Sequence, residues 1–82
     1  MNEEIRRIIA QHARLPIDIS ELSDSGDLYQ AGMTSHASVS LMLAIEDGFD
    51  VEFPDAMLKR SVFESIESIG RAVTALTADR VS

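Results

Sequence analysis

The first pair of side chains in this 82-residue sequence that could do chemistry is Ser35-His36, a hydroxyl nucleophile beside a possible general base. Within a helix, however, adjacent side chains point about 100° apart, and no carboxylate is placed by motif to orient the imidazole. The pair is therefore read as non-catalytic, with His36 a contact for a partner or a phosphate, or simply exposed. The other histidine, His12, falls at the end of a predicted helix where it suits the dipole, and two histidines so distant make no metal site. Asp24 and Asp27 suit turn caps, since no loop of calcium-ligand spacing follows. The absence of cysteine removes disulfides, thiolate metal sites and a cysteine nucleophile together. No catalytic residue and no metal ligand emerges, so the chemistry must come from elsewhere.

Charge narrows the partners. Fourteen acidic residues against seven basic ones give a net charge of -7, which repels phosphate backbones and anionic membranes and favours basic proteins. The start, Met1-Asn2-Glu3-Glu4, is acidic where a signal peptide is basic, and no apolar run approaches bilayer length. The expectation is one cytoplasmic domain over residues 1–82, with no nucleic acid and no membrane partner. That length lies near the lower limit at which an apolar core folds without staples.

The elements that must hold Ser35 read as an all-α bundle of three main helices and one short one. Asn2 can cap a first helix that carries Ile5, Ile8, Ile9 and Ala13 at helical spacing and ends near Ala13. From Arg14 to Thr34 the pattern dissolves, yet Leu15, Ile17, Ile19, Leu22 and Leu28 can pin an ordered crossing loop. A second helix spans Ser35 to Gly48, with Thr34 or Ser35 as cap and Gly48 as terminator. The alternation in Phe49-Asp50-Val51-Glu52-Phe53-Pro54 has no strand to pair with and is read as an extended connection into a short helix near Asp55 to Arg60. Ser65 caps a last helix with Ile66, Ile69, Val73 and Leu76 on one stripe, Gly70 costing about 1 kcal/mol inside it, and a frayed tail from Ala78 to Ser82.

The second helix has more apolar surface than one packed side needs. Leu41, Met42, Ile45 and Phe49 form a buried stripe, which leaves Val39 and Leu43 surplus, four and eight residues after Ser35 and on its face. Taken alone, Ser35 is a helix cap and the strip ordinary core. Met33, beside Ser35, together with Met57 and Val62 extends the candidate contact surface, whereas Met42 is core filler.

Asp27-Leu28-Tyr29-Gln30-Ala31-Gly32-Met33-Thr34-Ser35-His36, then Leu41 to Glu46, Phe49 to Asp55, and Phe63-Glu64-Ser65-Ile66-Glu67-Ser68-Ile69 span nearly the whole chain. In that order and spacing they resemble the acyl and peptidyl carrier protein family. The resemblance implies that Ser35 receives 4'-phosphopantetheine from a phosphopantetheinyl transferase, and that the arm carries an acyl or aminoacyl group as a thioester. It further implies a cargo-loading ligase, a downstream transferase, a monomeric shuttle, and contacts through Met33, Thr34, His36, Val39, Leu43, Met57 and Val62. A phosphodiester on Ser35 would sit at a helix amino terminus, where amides and dipole favour an anion.

The family's common Asp-Ser-Leu is here Thr34-Ser35-His36, and positions often acidic in fatty acyl carriers are Ala37 and Ser40, leaving Glu46 and Asp47 at the far end. So thin an acidic stripe predicts poor recognition by an ordinary fatty acid synthase. The resemblance then points to a specialised stand-alone carrier, either aminoacyl or of a small peptide or polyketide pathway. The alternative is a non-enzymatic adaptor that keeps the bundle and binds a partner through Val39 and Leu43 without the arm.

Overall fold

The computed structural model describes residues 2–13 and 15–78. Helix α1, Asn2–His12, packs against α2, Ser35–Phe49, and against α4, Ile66–Ala78, while the single-turn α3, Arg60–Phe63, leans on α4. Each long helix brings its apolar stripe to one core. Ile5 and Ile9 of α1, Leu41 and Ile45 of α2, and Ile69 and Val73 of α4 are fully buried, and each burial contributes on the order of 1.5–3 kcal/mol. No strand forms among the described residues, and no helix there is long and apolar enough to cross a membrane.

Leu15, Ile19, Leu22 and Leu28 pin the segment between α1 and α2 to the core, as expected, whereas Ile17 is exposed and does not. Leu28 is fully buried, and its amide donates to Glu64 O (2.7 Å) at the junction of α3 and α4. Arg6 grips the segment from α1, donating to Ile19 O (2.8 Å) and pairing with Asp24 Oδ1 (2.7 Å). Asp27 caps a turn as expected, its Oδ1 accepting from Tyr29 N (2.8 Å). Asp24 does not: its side chain ties down α1, and its carbonyl accepts the amide of Glu67 (2.9 Å) in the first turn of α4. Gly32 is needed where it stands, since it has φ +120 and an added Cβ would lie 2.7 Å from Pro16 Cδ.

Three local expectations change. Asn2 lies inside α1 rather than capping it, and its Nδ2 donates to Asp24 Oδ2 (3.3 Å). Gly48 does not end α2; Asp50 does, in the left-handed region at φ 54, with its amide bonded to Glu46 O. Gly48 instead allows close helix approach, because a Cβ there would sit 3.1 Å from Ile8 Cδ1 of α1. The expected helix near Asp55 to Arg60 is two pieces, a 3-10 turn over Asp55–Met57 and α3 beginning at Arg60. Leu58 and Lys59 break it, and the T-shaped Phe53–Phe63 pair, with ring centroids 5.1 Å apart, anchors both sides of the break in the core.

Ser65 caps α4 as expected: its Oγ accepts from Ser68 N (3.0 Å), while Ser68 Oγ accepts from Ser65 N (3.1 Å) and donates to Val62 O (2.8 Å). This exchange fixes α3 against α4. Residues 79–82, where fraying was expected, lie outside the described residues.

Candidate functional site

Ser35 is exposed and is the first residue of α2. Thr34, extended at φ -84 and ψ 165, is the cap: its Oγ1 accepts from Ala37 N (3.0 Å) and its carbonyl from Ser38 N (2.9 Å). A threonine at this position therefore does the capping without a charge. Freed from that task, Ser35 lines an open groove between the start of α2 and the segment leading into α3, and the first amides of α2 point towards the same end.

That groove encloses about 420 Å³. Val39 and Met42 of α2 form one wall, Leu58 and Phe63 the other, and Tyr29 closes the loop side. Arg60 lies over the Tyr29 ring, its Cζ 4.4 Å from the centroid, a cation–π contact that holds the guanidinium on the rim beside Lys59. An exposed hydroxyl, a helix amino terminus suited to an anion and an open, largely apolar channel fit a phosphodiester followed by a flexible, uncharged arm.

The remaining expected contact residues scatter. Val39 and Leu43 are 53% and 55% exposed, an apolar strip running from Ser35 along α2. Thr34 and His36 are exposed at its head, but His36 lines a second cleft with His12, Gly32 and Ser40. Ser35 and His36 thus face different depressions. The two histidines judged distant in sequence meet at one cleft, because the crossing loop returns the chain to the end of α1. Among the described residues no group of three or more histidine, cysteine or acidic side chains could hold a metal ion.

Met33 is only 4% exposed and belongs to the core, so it offers no surface to a partner; its amide bonds to Leu28 O (3.0 Å), which turns the side chain inward. Met57 and Val62 are half-buried and line a separate depression with Ser68 and Arg71, because the break at Leu58 and Lys59 carries them away from Ser35. Glu46, expected in an acidic stripe, turns back to accept the Phe53 amide (2.8 Å) and holds the segment after α2. The groove residues that periodicity missed are Tyr29, Leu58, Lys59, Arg60 and Phe63. The adjacent Lys59-Arg60 pair in so acidic a chain was the one signal that could have drawn attention to them.

A family model described as Phosphopantetheine attachment site matches residues 3–76. The chain belongs to that family. It is a carrier protein of the phosphopantetheine-binding type, and 4'-phosphopantetheine is its cofactor. An aminoacyl carrier protein of Agrobacterium fabrum (strain C58 / ATCC 33970) is 51% identical over 69 residues, which are 84% of this chain and 83% of that protein. A similar chain occurs in the crystal structure of an engineered Bradyrhizobium japonicum glycine:carrier protein ligase complexed with a carrier protein from Agrobacterium tumefaciens and AMP. The likeness has a TM-score of 0.88 and 49% identity over 90% of this chain and 99% of that one. Another, in the crystal structure of the B. japonicum ligase complexed with glycylated carrier protein, has a TM-score of 0.75 and 25% identity, covering 87% of this chain and 95% of that one.

Proposed function

We propose that Ser35 is the attachment residue of an aminoacyl carrier protein. The observation that carries this reading is the position of Ser35, exposed on the first turn of α2 at the mouth of the apolar groove, with the capping already done by Thr34. Ser35 Oγ attacks the phosphate of coenzyme A nearest the pantetheine. The pyrophosphate bond breaks, adenosine bisphosphate leaves, and the hydroxyl proton passes to a phosphopantetheinyl transferase. When bound, the arm supplies a terminal thiol that carries cargo as a thioester.

The chain's own residues hold and present the arm, and the bond-making belongs to partner enzymes. Thr34 fixes the first turn so that its amides face the phosphodiester. Val39 and Leu43, exposed in line with Ser35, offer a docking strip to the ligase that loads cargo and to the transferase that removes it. The aminoacyl class is supported by the relative from A. fabrum and by the carrier chains bound to glycine-activating ligases.

The test is to give the holo protein ATP and a panel of amino acids with a glycine:carrier protein ligase, and to follow intact mass. The expected result is one aminoacyl group per chain, removed by hydroxylamine as a thioester is. Holo protein that takes acyl groups from acyl-activating ligases, and amino acids from none, would overturn the aminoacyl assignment.

A further inference from the structure

The groove beside Ser35 has the opposite charge to the molecule. The chain carries a net charge of -7, yet no carboxylate lines this groove, while Lys59 and Arg60 both do. Two other arginines are neutralised, Arg6 by Asp24 and Arg71 by Glu67. Among the described residues neither Lys59 nor Arg60 pairs with a carboxylate, and Arg60 is fixed instead over the Tyr29 ring. A guanidinium held by a ring face keeps its full charge at the rim.

This inference rests on Ser35 as the attachment residue. A phosphodiester on Ser35 would bring one negative charge to the groove, against the two positive charges of Lys59 and Arg60. One positive charge remains in excess. Val39, Met42 and Leu58 welcome an uncharged chain end by apolar contact, whereas the same space repels a cation.

We propose that the groove sorts the state of the arm by charge: Lys59 and Arg60 admit it when its terminal group is uncharged and expel it when that group is an ammonium. An aminoacyl cargo is then displayed in solvent, open to a partner enzyme, while an uncharged acyl cargo rests against Val39 and Leu58. The carrier presents amino acids more readily than it presents simple acyl groups, although its surface reads neither side chain.

The glycyl and propionyl groups test this directly, since they match in length and differ in ending as ammonium or methyl. Each is installed on the full chain from a coenzyme A analogue in which nitrogen replaces the thioester sulfur, and intact mass verifies the loading. Nuclear Overhauser contacts from arm protons to the Val39 and Leu58 methyls are then measured at neutral pH. The propionyl arm should give these contacts, and the glycyl arm should give them at least roughly fivefold more weakly.

Two further arms isolate the charge. In the exposed double variant Lys59→Gln/Arg60→Gln, whose fold is checked by circular dichroism, the glycyl arm should gain the contacts. It should gain them in wild type as well near pH 9, above the ordinary range of an α-amino group. Equal contacts from both cargoes in wild type, or a glycyl arm that stays out in both further arms, would overturn the charge sorting and leave the attachment at Ser35 intact. Failure to install either arm would be seen in the mass spectrum, and would overturn the attachment and the sorting together.

Discussion

Thr34 does the capping of α2, which leaves Ser35 free for the proposed attachment, two tasks that a lone serine at a helix start would have to combine. Because Thr34 Oγ1 holds the Ala37 amide, Thr34→Ala should cost about 1 kcal/mol in urea denaturation, and Thr34→Asp should cost little. An equal loss in both variants would mean that the cap is not what Thr34 contributes. Gly32 is constrained more tightly. Its φ of +120 and the contact with Pro16 predict that Gly32→Ala destabilises the fold by about 1–3 kcal/mol, read by the same titration. The Asp18 carboxyl is held below its usual range by hydrogen bonds from Ser20, first from its amide and then from its side chain, against a small opposing effect of desolvation. A carboxylate whose pKa is lower in the folded state contributes fully above its unfolded pKa and loses that contribution as pH falls through the folded value. The 3-10 turn at Ile19–Glu21 should therefore loosen in acid below the ordinary aspartate range. An NMR titration of the Ser20 amide should follow that step, and Asp18→Asn should remove it.

The helix α2 presents one face buried in the core and one exposed apolar strip. Ile45 is fully buried, and Ile45→Ala should cost about 2–5 kcal/mol; Leu43, two residues earlier and more than half exposed, should change stability by less than about 0.5 kcal/mol when cut to alanine. The second change should instead lower kcat/KM for the loading ligase by roughly tenfold. Equal stability losses would put Leu43 in the core and remove the docking strip. This division was legible in the sequence, because Val39 and Leu43 stood outside a stripe already complete with Leu41 and Ile45. The elements with sharp local chemistry were legible too: Thr34 before α2, Ser65 before α4, the buried Leu28 in the crossing loop. What escaped was set by contacts between distant segments. Gly48 has the residue type of a terminator, yet its position is fixed by Ile8 of α1, and the chain leaves α2 through Asp50. Met33 has the residue type of an adaptable surface, yet the backbone bond to Leu28 turns it inward. The groove rim joins Tyr29 to Arg60, thirty-one residues apart, a pairing that no local period contains.

At the scale of the molecule, the net charge of -7 and the face around Ser35 tell different stories. On α2 the acids are Glu46 and Asp47 alone, and Glu46 is engaged with the Phe53 amide. The approach to Ser35 is thus lined by Val39, Leu43 and the Lys59-Arg60 rim, while the acids lie mostly on other surfaces. Loading by the ligase should therefore depend weakly on salt, with kcat/KM changing by less than about threefold over a tenfold rise in ionic strength. A steep fall would restore an acidic docking surface. All of this turns on one bond, and one measurement addresses it: intact mass of the chain and of its Ser35→Ala variant after incubation with coenzyme A and a broad-specificity phosphopantetheinyl transferase. One added arm is expected on the wild type, mapped by peptide fragmentation to Ser35, and none on the variant. A wild-type chain left unmodified by several transferases, or an arm that persists in Ser35→Ala, would contradict attachment at Ser35.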